Sequence, residues 1–148
     1  MKKTGVILLI MMAWSTVSAA QAYKMGLGVR FSTDDAIVNN AVSFKYFFTS
    51  SFSGEALFSF GDPLALGFLF AKHKPIGADH FTFFYGGGFY LGASSAYRVG
   101  LQGVTGLDYK IPDIPLNLSL DWKPELNLAK EFTFEPAALG ISARFTFK

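Results

Sequence analysis

The chain has 148 residues, of which 51% are hydrophobic and 17% aromatic, and its mean hydropathy of +0.32 is high for a soluble domain. Its 13 basic and 11 acidic residues form no block of like charge, which argues against a nucleic-acid partner. Cysteine is absent, which excludes disulfides and thiolate metal sites. The length suits one domain, and a membrane location has to be considered first.

Residues 1–22 have the composition of a secretory signal peptide. Lys2 and Lys3 precede an apolar run over residues 5–14, and the segment ends in Ala20-Gln21-Ala22, an A-x-A pattern. A membrane-anchoring helix is the alternative, but crossing a bilayer takes about 20 apolar residues and this run has about half as many. We predict cleavage before Tyr23, and a formally neutral mature chain with 11 basic residues (13 minus 2) and 11 acidic ones.

From Tyr23 onward the hydrophobic pattern has a period of two, which predicts strands whose side chains alternate between two faces. Eight such segments are separated by turn signals: residues 23–32, 41–48, 52–60, 64–71, 81–92, 98–110, 116–123 and 139–148. The residues 72–80 between two of them read as a polar loop. The glycines at 86–88 lie inside a strand pattern and lack the Lys-Ser/Thr of a phosphate loop, so we attribute them to strand kinking or close packing.

The last segment shows the alternation plainly, with Leu139, Ile141, Ala143, Phe145 and Phe147 on one face and Gly140, Ser142, Arg144, Thr146 and Lys148 on the other. Along the whole chain the less apolar face is mostly Gly, Ser, Ala, Asn and Thr with isolated charges. Such a face has few polar groups for contact with water, but its small side chains suit the narrow interior of an eight-stranded barrel. The sequence therefore predicts an all-β fold, an antiparallel up-and-down transmembrane β-barrel of about eight strands over residues 23–148.

Two sets of residues are assigned to this barrel by strand parity. The first shares the interior face and is mixed in sign. It is expected to form a salt-bridged plug in a lumen too narrow to conduct, and a pore lined by these charges is the alternative: Arg30, Lys45, Glu55, Gln102, Asp108, Asp121, Lys123 and Arg144. The second is expected to lie in aromatic girdles at the membrane interfaces: Tyr23, Tyr46, Tyr85, Tyr109, Trp122 and Phe147.

The leader, the alternating strands and the ending ARFTFK (residues 143–148) resemble the small outer-membrane β-barrel proteins of the OmpA/OmpX-like kind. The resemblance covers nearly all of residues 23–148, and PLNLSLDWKPELNL (residues 115–128) is similar to segments of small uncharacterised outer-membrane barrels. It implies residence in the bacterial outer membrane, with outer-membrane lipid and the barrel assembly machinery as partners. Members usually end in an aromatic residue that this machinery recognises; here Phe147 is penultimate and Lys148 is last.

Candidate catalytic groups are few. His73 and His80 fall in the predicted polar loop, and their spacing matches no zinc pattern, so we interpret them as solvated. A lipid-modifying barrel enzyme would need a serine with a histidine near the lipid interface, and the loop serines available are Ser50, Ser51, Ser94 and Ser95. None has a histidine beside it in sequence. The sequence predicts no catalytic residue, cofactor or metal.

Three functions are therefore weighed. The leading hypothesis is a monomeric, non-catalytic outer-membrane barrel with a structural or surface-interaction role in the Gram-negative envelope. With both termini in the periplasm, the outer loops would be 33–40, 61–63, 93–97 and 127–136, and the last carries Phe132 and Phe134 as candidate contacts. The alternatives are a soluble periplasmic lipid-binding barrel, whose apolar face would line a cavity, and a lipid-modifying enzyme in which a loop serine meets His73 or His80.

Overall fold

The computed structural model describes residues 23–33, 38, 40–60, 64–77, 80–93, 97–128, 133–135 and 139–148, so the predicted signal peptide lies outside the described residues. The regular structure within these ranges is entirely β-strand: β1 Met25–Ser32, β2 Ala41–Phe47, β3 Phe52–Ser59, β4 Leu64–Pro75, β5 Phe81–Ala93, β6 Tyr97–Lys110, β7 Leu116–Trp122, β8 Glu125–Asn127, β9 Thr133–Glu135 and β10 Leu139–Phe147. Accordingly, no described segment is a helix long and apolar enough to cross a membrane.

The ten strands close into a barrel with eight strand positions. Each position, called a stave below, is formed by one strand or by two strands in line. Each strand from β1 to β6 pairs antiparallel with the next in sequence, and β10 closes the ring by pairing with both β7 and β1. The seventh stave consists of β7 and β8, which both pair with β6 and are separated by Lys123 and Pro124. The eighth consists of β9, paired with β8, and β10. The prediction of an all-β, antiparallel, eight-stranded barrel is confirmed.

The predicted polar loop over residues 72–80 is wrong in its first half. β4 continues to Pro75, and Lys72, His73 and Lys74 pair with β5. The in-out alternation simply runs on, with Ala71 and His73 buried and Lys72 and Lys74 exposed. These residues resemble a loop in sequence because they are polar, but they lie at the end of a stave where outward lysines meet solvent. The connection between β4 and β5 is only residues 76–80.

Side chains alternate between a largely apolar exterior and a mixed interior. Many large apolar side chains on the outside are exposed, for example Leu27 at 46%, Ile141 at 59% and Phe145 at 64%. The interior contains the buried charged residues and, along β3 to β6, an apolar cluster that includes Leu57 and Leu69. The predicted partition of the two faces is therefore seen in the structure, although the interior is less uniformly polar than expected.

The glycine run in β5 serves close packing between staves. A Cβ atom at Gly86 or Gly88 would collide with the carbonyl oxygen of Phe70 or Phe68 on the neighbouring strand. Only glycine fits at these two positions without shifting the backbone. The interpretation of the run as a packing feature is confirmed.

Candidate functional site

All eight residues assigned by parity to the interior lie inside the barrel. Seven are buried: Arg30, Lys45, Gln102, Asp108, Asp121, Lys123 and Arg144. The side chain of the eighth, Glu55, is 9% exposed. The structure therefore gathers into one interior a set of groups that are spread over more than one hundred residues of sequence.

Arg144 is the centre of the largest group of contacts. Its guanidinium forms a salt bridge with Glu55 across the barrel. Three further hydrogens are donated to Ser43 Oγ at 2.7 Å, Ser119 Oγ at 2.8 Å and Asn117 Oδ1 at 3.2 Å. One side chain from β10 thus binds groups on β2, β3 and β7. Arginine suits this position because its planar fork offers five donors in fixed directions.

Asp108 has several partners near the end of the barrel where β1 begins and β10 ends. It accepts hydrogen bonds from Asn117 Nδ2 at 2.6 Å and from the Tyr23 hydroxyl at 3.2 Å. Lys45 Nζ lies 3.6 Å from its carboxylate, and His73 Nδ1 lies 3.8 Å from it. Lys45 Nζ also sits over the ring of Phe84, 4.9 Å from the centroid. Asp108 is therefore held by cationic and neutral donors together.

The placement of Tyr23 corrects a prediction. Strand parity put this ring on the outward face, in an aromatic girdle, but the side chain is buried and points into the barrel. It lies before β1 begins, so the strand alternation does not govern its direction. Its ring packs edge-on against Phe47 at 5.2 Å, and its hydroxyl reaches the interior carboxylate. Tyr23 thus belongs to the interior network.

The opposite half of the lumen contains two further ion pairs. Arg30 donates to both carboxylate oxygens of Asp121, at 2.6 and 3.2 Å, which is the bidentate arrangement that arginine favours. Lys123 Nζ lies 2.6 Å from Glu125 and donates to Gln102 Oε1 at 3.3 Å. Gln102 in turn donates to the carbonyl oxygen of Phe89 at 3.1 Å. These contacts tie the break at Pro124 to the neighbouring staves.

Val38 fills the lumen at this end. It is fully buried, and its backbone N–H donates to Glu125 Oε1 at 3.1 Å. It belongs to the interior apolar cluster together with Leu57 and Tyr90. Residue 38 comes from the connection between β1 and β2, so part of that connection enters the barrel instead of extending away from it. The other residues of this connection at 34–37 and 39 lie outside the described residues.

The interior charges of the described residues balance. Four salt bridges join Arg30 to Asp121, Lys45 to Asp108, Lys123 to Glu125 and Arg144 to Glu55. Four cationic side chains thus face four carboxylates, and the formal net charge of this set is zero. A buried ion needs a partner because the desolvation of an isolated charge costs several kcal/mol. The arrangement meets that need pair by pair.

His73 is a second residue whose prediction the structure corrects. It is buried, not solvated, and Phe47 and Phe84 lie against its ring at centroid distances of 4.8 and 5.3 Å. Its Nε2 lies 2.9 Å from Ser53 Oγ, and its Nδ1 faces Asp108. The order serine, histidine, aspartate matches that of a nucleophilic relay. The three side chains are nevertheless buried, and the 3.8 Å gap to Asp108 is too long for a hydrogen bond.

The other predicted aromatics face outward. Tyr46, Tyr85, Tyr109 and Phe147 lie on the half of the barrel where β1 begins and β10 ends, whereas Trp122 lies near the middle of the seventh stave, paired with Leu139 of β10 and Thr105 of β6. Tyr109 stacks on Phe81 at a centroid distance of 4.4 Å. Four of these five outward rings are therefore grouped toward one end of the barrel.

Several candidates for surface contact or catalysis lie elsewhere or outside the described residues. Ser50 and Ser51 are in the turn between β2 and β3, whereas Ser94, Ser95 and Phe132 are not described. Phe134 is 56% exposed on β9, opposite Leu126 of β8. The predicted loop 127–136 thus contributes to a short strand pair that continues the seventh and eighth staves.

Sequence reasoning missed three main contributors to the interior. Glu125 has the same parity as Lys123 and Asp121, but Pro124 looked like the end of the strand. His73 has the same strand parity as Ala71, but residues 72–80 were interpreted as a polar loop, so the parity was not applied to it. Val38 had no periodic signal, because it enters the barrel from a connection between strands.

Comparison of the chain with protein-family models, with curated protein sequences and with solved structures found no match. Among the described residues, no group of three or more His, Cys, Asp or Glu side chains is placed to hold a metal ion. The functional argument therefore depends on the barrel itself.

Proposed function

We propose that this protein is an integral outer-membrane β-barrel without catalytic activity, which has a structural or surface-interaction role in the bacterial envelope. The observation that carries the proposal is that the barrel is charged inside and apolar outside, the reverse of a water-soluble barrel. Its interior contains four ion pairs, whereas its exterior presents Leu, Phe, Val and Ile side chains on every stave. An apolar exterior on this scale is costly in water and favourable against lipid hydrocarbon.

Closure of the sheet supports the same proposal. A bilayer offers no water to satisfy free backbone groups, so a spanning sheet must have no open edges within the hydrocarbon. The pairing of β10 with β1 supplies that closure here. The outward rings of Tyr46, Tyr85 and Tyr109 lie toward one rim, a place where amphipathic rings favour a membrane interface.

A structural role is favoured over conduction by the contents of the lumen. An eight-stranded barrel leaves space that side chains just fill. Here Arg144 spans the interior to Glu55, and Val38 enters from the other end. A solute would have to displace buried ion pairs that are already matched in charge. We therefore propose a plugged barrel whose external surfaces carry its function, as a monomer delivered by the barrel assembly machinery.

The alternative of a soluble lipid-binding barrel requires an interior that is apolar and open. It needs a cavity lined by apolar side chains to receive the lipid. The apolar interior cluster along β3 to β6 is the feature closest to this, but Leu57, Leu69 and Tyr90 are packed together and buried. The other side of the barrel interior contains the charged groups, which do not suit an acyl chain.

Membrane fractionation with electrophoresis of boiled and unboiled samples tests the proposal. We expect the protein in the outer-membrane fraction and a change in migration on heating, because a closed barrel resists detergent until it is heated. A protein found in the soluble periplasmic fraction without a heat-dependent shift would contradict the proposal and favour the lipid-binding alternative.

A charged substitution on the exterior gives a second and independent test. Leu120 is 53% exposed near the middle of the seventh stave. In lipid, Leu120→Lys should destabilise the barrel by about 2–4 kcal/mol, whereas in water a lysine at an exposed position changes stability by less than about 0.5 kcal/mol. Urea unfolding of wild type and variant in lipid vesicles measures the difference. A matched control is Lys148→Leu, at the exposed chain end, for which we expect little change. Equal stabilities of wild type and Leu120→Lys would contradict membrane insertion at this position.

A further inference from the structure

The rim of the barrel where β1 begins and β10 ends carries most of the exposed positive charge. Its five lysines, called the basic rim below, precede β1, lie in the last four residues of β4, end β6 and follow β10: Lys24, Lys72, Lys74, Lys110 and Lys148. Every other described lysine or arginine except Arg98 lies inside the barrel. The strands concerned are spread around the barrel, so the charge surrounds the rim instead of forming one patch.

Little acidic charge offsets these lysines. Among the described residues at this rim, Asp113 in the turn between β6 and β7 is the one exposed carboxylate. The salt bridges of the described residues involve none of the five lysines. Lys110 Nζ donates instead to the backbone carbonyl oxygens of Ile111 at 2.8 Å and Ile114 at 2.5 Å. The basic rim is therefore a positively charged surface whose counter-ions have to come from outside the described chain.

Two of the lysines lie against outward tyrosine rings. Lys24 Nζ is 5.6 Å from the centroid of the Tyr46 ring, and Lys74 Nζ is 5.6 Å from that of Tyr85. An ammonium group is attracted to the face of an aromatic ring, and a tyrosine ring on a membrane-spanning barrel favours the level of the lipid headgroups. In the membrane-spanning barrel proposed above, these two ammonium groups therefore lie at headgroup depth.

We propose that the basic rim binds the phosphate headgroups of anionic phospholipids in the leaflet that surrounds it. The proposal rests on the membrane location proposed above. Because the lysines lie at the ends of four different strands, they contact separate headgroups and need no shared pocket. A zwitterionic headgroup has no net charge, so charge complementarity selects an anionic lipid. An acidic protein segment is the competing occupant, and the contacts of Lys24 and Lys74 with outward tyrosine rings favour the lipid.

Spin-labelled lipids test this contact. The full mature protein is reconstituted in phosphatidylcholine vesicles with a trace of spin-labelled phosphatidylglycerol or phosphatidylcholine, and electron paramagnetic resonance measures the fraction of each that is held at the barrel surface. A lysine near a membrane surface gives a preference of about five-fold for an anionic lipid, and averaging over all the lipids around the barrel leaves an expected preference of at least about two-fold. In about 1 M salt, where the Debye length is about 3 Å, the preference should disappear.

Variants test whether the basic rim is the cause. The triple variant Lys24→Gln, Lys72→Gln, Lys74→Gln removes three exposed charges, and we expect most of the preference for phosphatidylglycerol to be lost. The matched control Lys24→Arg, Lys72→Arg, Lys74→Arg keeps the charges and should retain the wild-type preference. Arg98→Gln, at the opposite end of β6 from Lys110, removes an exposed charge away from this rim and should leave the preference unchanged.

The outcomes separate this surface from the proposed function. A protein that inserts in membranes and shifts on heating, but holds the two lipids equally, overturns the lipid contact and leaves the membrane location standing. A preference that survives in the glutamine variant also overturns it, because another surface then selects the lipid. A soluble protein would overturn both proposals, and fractionation detects that case independently. Each variant is checked for the heat-dependent shift, and if the glutamine variant lacks it, the salt titration of the wild type decides: a preference that salt does not reduce contradicts the proposal.

Discussion

The interior of this barrel has two sides that are stabilised in different ways. The side formed by β7, β8, β10, β1 and β2 contributes most of the charged groups, whereas β3 to β6 contribute most of the apolar cluster. On the first side, each charged group depends on one or two specific hydrogen-bonding or ionic partners. On the second, each side chain contributes through the apolar area that it buries. The difference implies that a substitution on the charged side should be costly mainly through the partner that it leaves behind.

The largest effect should come from removing one member of the central ion pair. Arg144→Met leaves Glu55 buried without its main partner, and we expect a loss of about 3–5 kcal/mol in the free energy of unfolding. Urea unfolding of the folded barrel, followed by far-UV circular dichroism, measures it. The double variant Arg144→Met, Glu55→Gln removes both charges and should recover a large part of the loss. A double variant that is less stable by the sum of the two single effects would contradict the pairing.

A somewhat smaller effect is expected on the apolar side. Leu57 is fully buried in the apolar cluster, and Leu57→Ala should cost about 2–4 kcal/mol through lost burial and the cavity that remains. No second substitution of a neighbouring charge should restore this loss, in contrast to the central pair. The same unfolding measurement applies, with Leu57→Met as a conservative control that should cost less than about 1.5 kcal/mol. A cost for Leu57→Ala below that of the control would show that this side is not tightly packed.

The smallest effect should occur where the two sides meet, at Ser53 and His73. Ser53→Ala removes one buried hydrogen-bonding group, and we expect a loss of about 1 kcal/mol. Because Ser53 is enclosed, a fluorophosphonate probe should not label the folded barrel. Ser53-dependent labelling of the folded protein, absent in Ser53→Ala and in His73→Ala, would contradict the non-catalytic proposal and identify a nucleophile.

The strand period was sufficient to predict the barrel and the direction of most side chains. Arg144 and Asp121 could be placed inside because each lies in a segment whose alternation is regular on both sides. Tyr23 could not, because it precedes the first strand and follows the local turn of the backbone. His73 and Glu125 had the correct parity, but a polar segment and a proline concealed the continuation of their strands. The alternation along a strand thus predicted whether a side chain faces the interior or the exterior wherever the strand boundaries were predicted correctly.

The identity of each ionic partner could not be predicted from parity. Arg144 might have met any interior carboxylate, since partners across a barrel depend on the stagger of all eight staves. The neutral groups that complete its contacts, Ser43, Asn117 and Ser119, are short polar residues common on any interior face. Contacts on the exterior likewise depend on strand register, and only the paired structure places Gly54 between Tyr46 and Phe70.

The sequence separation of the interior contacts has a consequence for how the barrel is formed. Arg144 and Glu55 are 89 residues apart, and Arg30 and Asp121 are 91 apart. Contacts at such separations form only after long loops have closed, which slows folding. Adjacent hairpins such as β2 with β3 require no such closure. These two long-range ion pairs are therefore expected to form late in folding. An incompletely assembled sheet leaves their charges without partners, and only the pairing of β10 completes the contact between Arg144 and Glu55.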